Sequence, residues 1–467
     1  MPRTGRIGAL ALAAACATIV ACSTTKRVPK SVPTATPSPT ATAPATATAS
    51  RTATRTATET RTISASVTQS RTATVSATAS ESASETATAT STPQDTGTET
   101  VTGTVSATAT ASRTVTRSSS PTATRTPTLP GSNVYVLNNA SSSVTVFDAG
   151  SFGILATVAV ATGAQWIAVS PNGSLAYAGG NYLSVINTVP NTVVATVPAG
   201  STAYHVTFHP NGSRAYLTVP GSSNAVVAVN TLTNAVVATA LVGSGPWVSA
   251  LTPDGSRLFV PNSGAGDNTV SVLDTTSFLV VATLSNGTQP YFAAAHPNGS
   301  FVYVANVGGN DVSVFDAQTY ALAATISAGI APLFVAFAPN GSRAYVSNNS
   351  SGDVTVVDAG ANVFLATVAV GVSPDAIAVT PNGSYAYVNN NSVATSAESV
   401  LDTASNVIVA TIPVGGSPNT VAVHPNGSFA YVANGSTPNV SVINTSTRTV
   451  VATVSVGVNA VRIAVKP

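Results

Sequence analysis

From residue 131 to residue 467 the chain alternates short apolar runs with clusters of Gly, Pro, Asn and Ser, and the alternation recurs. In one period the runs are Phe301-Val302-Tyr303-Val304, Val312-Ser313-Val314-Phe315, Ala321 to Ile326 and Phe334 to Phe337. Runs of this length, rich in Val, Ile and aromatics and bounded by turn residues, predict β-strands. No run sustains a helical period. The turn Pro-Asn-Gly-Ser begins at Pro171, Pro210, Pro297, Pro339, Pro381 and Pro425, with Pro-Asp-Gly-Ser at Pro253, so the spacing runs from 39 to 44 residues. A steady period in the forties signals a repeat architecture. Four antiparallel strands per period make a propeller blade, so the fold class is all-β.

The blades can be counted without the turn. The aromatic of one strand recurs at Tyr135, Tyr177, Tyr216, Phe259, Tyr303, Tyr345, Tyr387 and Tyr431. The Asx closing the next strand recurs at Asp148, Asn187, Asn230, Asp274, Asp316, Asp358, Asp402 and Asn444. Both series have eight members, whereas the intact turn has seven. The missing turn is split between Pro130-Gly131-Ser132 and Pro467. The expectation is an eight-bladed ring closed by pairing of the N-terminal and C-terminal strands, which removes exposed sheet edges at the joint. Seven blades plus a stray unit is the fallback count.

The strand ends Tyr135 to Asn138, Tyr303 to Asn306, Tyr345 to Asn348, Tyr387 to Asn390 and Tyr431 to Asn434 read Tyr-Val-x-Asn. Together with the Val-Ser-Val-x-Asp and Val-Val-Ala-Thr segments that follow, they resemble the YVTN-type β-propeller repeats of bacterial and archaeal surface proteins. The resemblance covers residues 131–467. Gly180 and Val219 replace the strand-end Asn, and Phe259 replaces the tyrosine. The resemblance implies a cell-surface or periplasmic propeller. Some relatives of that fold are lactonases or carry redox cofactors, and fold alone does not choose among these.

Two further segments precede the repeats. Residues 1–22 carry Arg3 and Arg6 and then a charge-free run from Ile7 to Ala21. That run is short for a membrane span and reads as a secretory signal. Its end, Ile19-Val20-Ala21-Cys22, resembles a bacterial lipobox, which implies lipidation of Cys22 and removal of Cys16. Ser23 stands where an aspartate would resemble the inner-membrane retention signal, so the outer membrane or cell surface is the expected location. Residues 23–130 contain no aromatic residue and are built from Thr, Ala, Ser and scattered Arg. With little apolar surface to offset ordering entropy, the segment is expected to be a disordered tether. Its reach as a flexible coil would be on the order of 60 Å.

Composition narrows the functional classes. Charged residues are 7% of the chain and the net charge is +2, which argues against a nucleic-acid partner. The propeller segment holds six Lys/Arg and eleven Asp/Glu, and five of those acids belong to the Asx series. His209, His296 and His424 share one slot in non-adjacent repeats, so neither a metal site nor any other cofactor is expected. The Asn-Gly-Ser triplets match a glycosylation sequon but sit where a tight turn needs Asn-Gly. Motifs of nucleophile-elbow, HExxH, dinucleotide-binding or CxxC type are lacking.

Two adjacent slots at the start of the innermost strand break the repeat. The first holds Gln165, Tyr204, Trp247, Tyr291, Leu333, Asp375, Asn419 and Val461. The second holds Trp166, His205, Val248, Phe292, Phe334, Ala376, Thr420 and Arg462. These sixteen side chains are expected to ring one mouth of the central channel, an aromatic arc facing Asp375, Asn419 and Arg462. Such a concave mouth suits a small ligand, a sugar ring or a peptide side chain, and the competing reading is that the rings plug the channel. The functional expectation is a monomeric, lipid-anchored module that binds protein or glycan without chemistry. The alternative is a lactonase-like or other hydrolytic propeller in which His205, Asp375 and Arg462 carry the site.

Overall fold

The computed structural model describes residues 132–467 except 286, 393 and 394. The expected signal segment, Cys22 and the tether all lie outside the described residues. Within them, thirty-two strands run from β1 (Asn133–Asn138) to β32 (Ala460–Val465), with no helix. They form eight four-stranded antiparallel sheets. Blade 1 takes β32 as its inner strand, followed outward by β1, β2 (Ser143–Asp148) and β3 (Ile154–Ala159). Blades 2 to 8 are consecutive quartets whose inner strands begin at Trp166, His205, Ala250, Pro290, Pro332, Pro374 and Pro418. The eight-blade count and the terminal closure are therefore as the repeat predicts, with Val134 opposite Val465 and Val136 opposite Ile463.

The repeated residues have identifiable work. The second strand of each blade is buried almost throughout, whereas the outermost strand is mostly exposed. The strand-end Asn is a hairpin clamp. Asn306 Nδ2 donates to Asp311 Oδ1 (2.5 Å) and Ser313 Oγ (2.9 Å), and Asn348 repeats this on Asp353 (2.6 Å) and Thr355 (2.8 Å). The repeated tyrosine reaches the next blade: Tyr135, Tyr177 and Tyr303 donate to Asn191, Asn234 and Asn362 at 2.9, 3.0 and 2.5 Å. Those asparagines sit at φ 53°, 53° and 58°, a left-handed turn conformation that Asn tolerates. The Asx series caps turns as expected, Asp316 Oδ1 accepting from the amides of Gln318 and Thr319.

One slot on the third strand of each blade is apolar in seven blades and acidic in one. In the slot across from the third residue of Tyr-Val-x-Asn, seven blades carry Val144, Leu183, Val226, Val270, Val312, Val354 and Val440. Blade 7 carries Glu398 there, opposite Asn389. Tyr387 and Val400, two residues along each strand, pack against Val421, Ala430 and Val432 of blade 8. By strand alternation Asn389 and Glu398 point into the same seam. Both are fully buried, and their side-chain oxygens and the Asn389 nitrogen have no hydrogen-bond partner among the described residues. Burial alone pushes the Glu398 carboxyl well above the usual range, which favours its neutral form in the fold.

Candidate functional site

Inner strands start at one end of the channel, and strand alternation splits the sixteen slot residues into two tiers there. The first tier carries the accessible surface. The Tyr204 and Trp247 rings lie 3.7 Å apart between centroids, and Trp247 and Tyr291 lie 5.1 Å apart. Tyr204, Trp247 and Gln165 are partly exposed, while Tyr291 is buried. The second tier packs blade against blade out of solvent. Arg462 stands over the Trp166 ring at 4.8 Å, Trp166 meets His205 edge-on at 4.3 Å, and Phe292 meets Phe334 at 4.3 Å. Trp166, His205, Phe292, Phe334 and Arg462 are each exposed by 4% or less. The expected single ring of sixteen is thus a half-open rim above a closed layer.

First-tier residues of blades 3, 5 and 7 converge with Arg462 of the second tier at the centre of the ring. The Tyr204 and Tyr291 hydroxyls are hydrogen-bonded to each other, and Arg462 and Asp375 both act on the pair. Burial raises both phenols, most strongly Tyr291. These four residues come from blades 3, 5, 1 and 7, so they meet across the ring rather than around it. Asp375 and Arg462 are 3% and 2% exposed, which makes the centre a polar plug. Asn419 belongs to the same end but bonds elsewhere. Its Nδ2 donates to Ala460 O at 3.0 Å, and its Oδ1 accepts from Asn391 at 3.3 Å.

His205 has a partner that slot comparison did not single out. Its Nδ1 stands 3.1 Å from Ser249 Oγ and accepts from the Ser249 backbone N–H at 3.3 Å. Burial, reinforced by Arg462, holds the ring's pKa at about 3. The imidazole is therefore neutral at ordinary pH and a weak base. Asp375, the carboxylate expected to act with it, is committed to the tyrosine pair's side of the plug. Ser249 escaped notice because it lies one residue beyond the second slot, where a serine in an inner strand is unremarkable by type.

Cavities open away from the mouth. A groove of about 370 Å³ lies on the rim between blades 2 and 3, lined by Val197, Ala199, Val227 and Val236 among others. A cleft of about 200 Å³ lies between blades 3 and 4 on the face of the Pro-Asn-Gly-Ser turns.

No protein-family model matches the chain, and no curated protein matches it either. Among solved structures, the chain is similar to Kuenenia stuttgartiensis hydrazine synthase, at 21% identity over 67% of this chain and 92% of that one, with a TM-score of 0.48. It is also similar to dihydro-heme d1 dehydrogenase NirN in complex with DHE, at 15% identity over 71% of this chain and 74% of that one, with a TM-score of 0.61. At this identity the second likeness speaks to architecture alone. The chain is a β-propeller by its own eight closed sheets and by that likeness.

Proposed function

We propose that the protein is a lipid-anchored, extracytoplasmic display propeller of the YVTN-repeat type that binds a glycan or protein at the channel mouth without chemistry. The supporting observation is the partly exposed Tyr204–Trp247 pair, whose rings meet edge-on at 64°, mounted on a buried polar plug. An aromatic face left open beside a polar amide such as Gln165 is the arrangement that stacks sugar rings or clamps a peptide side chain. The plug beneath holds the platform rigid, so ordering costs on binding are small. In this reading Cys22 carries the lipid and residues 23–130 space the ring from the outer membrane. A screen of glycans, peptidoglycan fragments and peptides with wild type and Trp247→Ala tests the mouth. Retained binding in the variant sinks the platform, and radiolabelled palmitate incorporation lost in Cys22→Ala tests the anchor.

The hydrolytic reading has one observation in its favour, the 3.1 Å contact between His205 and Ser249. Against it, a ring held at about 3 is poorly matched to a general base near neutral pH. Its Nδ1 is already engaged by a backbone amide, and both residues are buried. Turnover of a lactone panel that disappears in Ser249→Ala would replace the binding reading.

A further inference from the structure

The three arginines of the turn-face slot are Arg214, Arg257 and Arg343, and their cross-strand partners differ. Arg257 faces Asp274 and Arg343 faces Asp358, but Arg214 faces the neutral Asn230. Arg257 uses its carboxylate, Nη1 lying 2.5 Å from Asp274 Oδ2. Arg214 makes no ion pair among the described residues, and its Nη1 donates to the Thr275 carbonyl of blade 4 at 2.8 Å. A guanidinium presents five donors in a planar fork, and the Thr275 carbonyl takes one of them.

Two neighbours of Arg214 depart from the repeat in the same direction. His296 and His424 occupy one slot and turn Nε2 to the next blade, onto Gly341 O (2.8 Å) and Ser132 Oγ (2.9 Å). His209 is their equivalent. Its Nδ1 accepts from the Asn211 amide at 3.3 Å, which places the hydrogen on Nε2, yet that N–H has no acceptor among the described residues. Tyr216 is the equivalent of Tyr135, Tyr177 and Tyr303, which donate to an asparagine of the next blade. Blade 4 has Phe278 at that turn position instead, and the two rings stack at 6.0 Å. The Tyr216 hydroxyl is buried and lacks a hydrogen bond of good geometry, with Arg214 and Thr275 beside it.

All three residues line the 200 Å³ cleft between blades 3 and 4, with Ser213 and Thr276 at its exposed edge. Asp274, just before Thr275, is engaged by Arg257 and by the amides of Thr276 and Ser277. We infer that this cleft is an oxyanion site, in which Arg214, oriented by the Tyr216 hydroxyl beside it, and His209 Nε2–H donate to one phosphate, sulfate or sugar carboxylate group. A cleft of this volume holds several waters at about 30 Å³ each, enough for such a group with residual solvent. Charge-assisted bonds from a guanidinium to an oxyanion are the strong class of hydrogen bond. The site lies on the face opposite the aromatic mouth and stands independently of the mouth reading.

The test is titration of the full chain at low ionic strength with inorganic phosphate, sodium sulfate and glucuronate, followed by calorimetry. Wild type is expected to bind one equivalent of at least one probe. Arg214→Gln and Asn230→Asp should each weaken binding by at least about tenfold, the second by supplying the carboxylate that Arg257 already has. Asn230→Asp keeps the turn, because its Oδ1 accepts the same Leu232 and Thr233 amides as an aspartate would. Tyr216→Phe should weaken binding by about threefold, and Trp247→Ala should leave it unchanged. Preference for phosphate and sulfate assigns a tetrahedral ligand, and preference for glucuronate assigns a sugar acid. Absence of binding by all three probes, or equal binding by wild type, Arg214→Gln and Asn230→Asp, overturns the site.

Discussion

Among the described residues this ring buries carboxyl and guanidinium groups in two places, and it treats them differently. In the channel plug, Arg462, Asp375, His205, Tyr204 and Tyr291 act on one another, and Arg462 also lies over Trp166. In the seam between blades 7 and 8, Glu398 has only the facing Asn389 and the Tyr387 ring beside it, and no hydrogen bond. A buried group with partners specifies geometry, and one without them carries a desolvation cost that nothing offsets. A chain with 7% charged residues buries Asp375, Glu398 and Arg462 among its described residues, which makes the contrast measurable.

The largest effect is expected in the plug. Arg462→Leu removes the one cation that acts on both phenols and on Trp166 while leaving Asp375 buried. A loss of about 4 kcal/mol in chemical denaturation is expected. A loss under about 1 kcal/mol would show that the plug is not electrostatically coupled.

The pH limbs separate the two places next. His205 falls from the ordinary 6.5 to about 3 in the fold. The unfolded chain then binds the extra proton, so this contribution is fully present above pH 6.5 and is lost as pH falls toward 3. His205→Phe should flatten that acid limb, whose full depth is on the order of 4 kcal/mol. Glu398 has the opposite sign. Its carboxyl is raised above 4.5, so its contribution is present below pH 4.5 and is lost as pH rises through the elevated value.

Glu398→Val should therefore stabilise the protein, since seven blades already carry Val or Leu in that slot. A gain of about 2 kcal/mol at pH 7 is expected, together with a flatter decline toward alkaline pH in thermal melts. A destabilised variant would mean that the seam holds a partner for the carboxyl. The smallest stability change is expected for Trp247→Ala at the partly exposed rim, at about 1 kcal/mol. Trp166→Ala in the closed layer should cost about 3 kcal/mol or more. Similar costs for the two tryptophans would erase the distinction between rim and layer.

Much of the fold was readable because repetition checks itself. The turn spacing, the Tyr series and the Asx series each returned the blade period, and the split turn at Pro130 and Pro467 pointed to the closing pair of β1 and β32. The candidate site was readable only in part. Slot comparison found Tyr204, Trp247, His205, Asp375 and Arg462 as departures from the repeat, and the structure groups them at one end of the channel. It did not show that adjacent slots face different ways, so Trp166 and Phe292 were expected beside Trp247 rather than beneath it. The same comparison applied to every slot would have exposed Glu398 among valines, and Arg214 facing Asn230 where Arg257 and Arg343 face aspartates.

Sequence alone is sufficient for blade number, strand order, closure and the chemistry of each turn, because these depend on local pattern and period. It is not sufficient for which side chains meet. Tyr204 and Tyr291 are 87 residues apart and join across a ring, and Arg214 lines a cleft because blade 4 supplies Thr275 and Phe278 beside it. Contacts of that kind arise when eight blades close around one axis, which brings together residues that no repeat period relates.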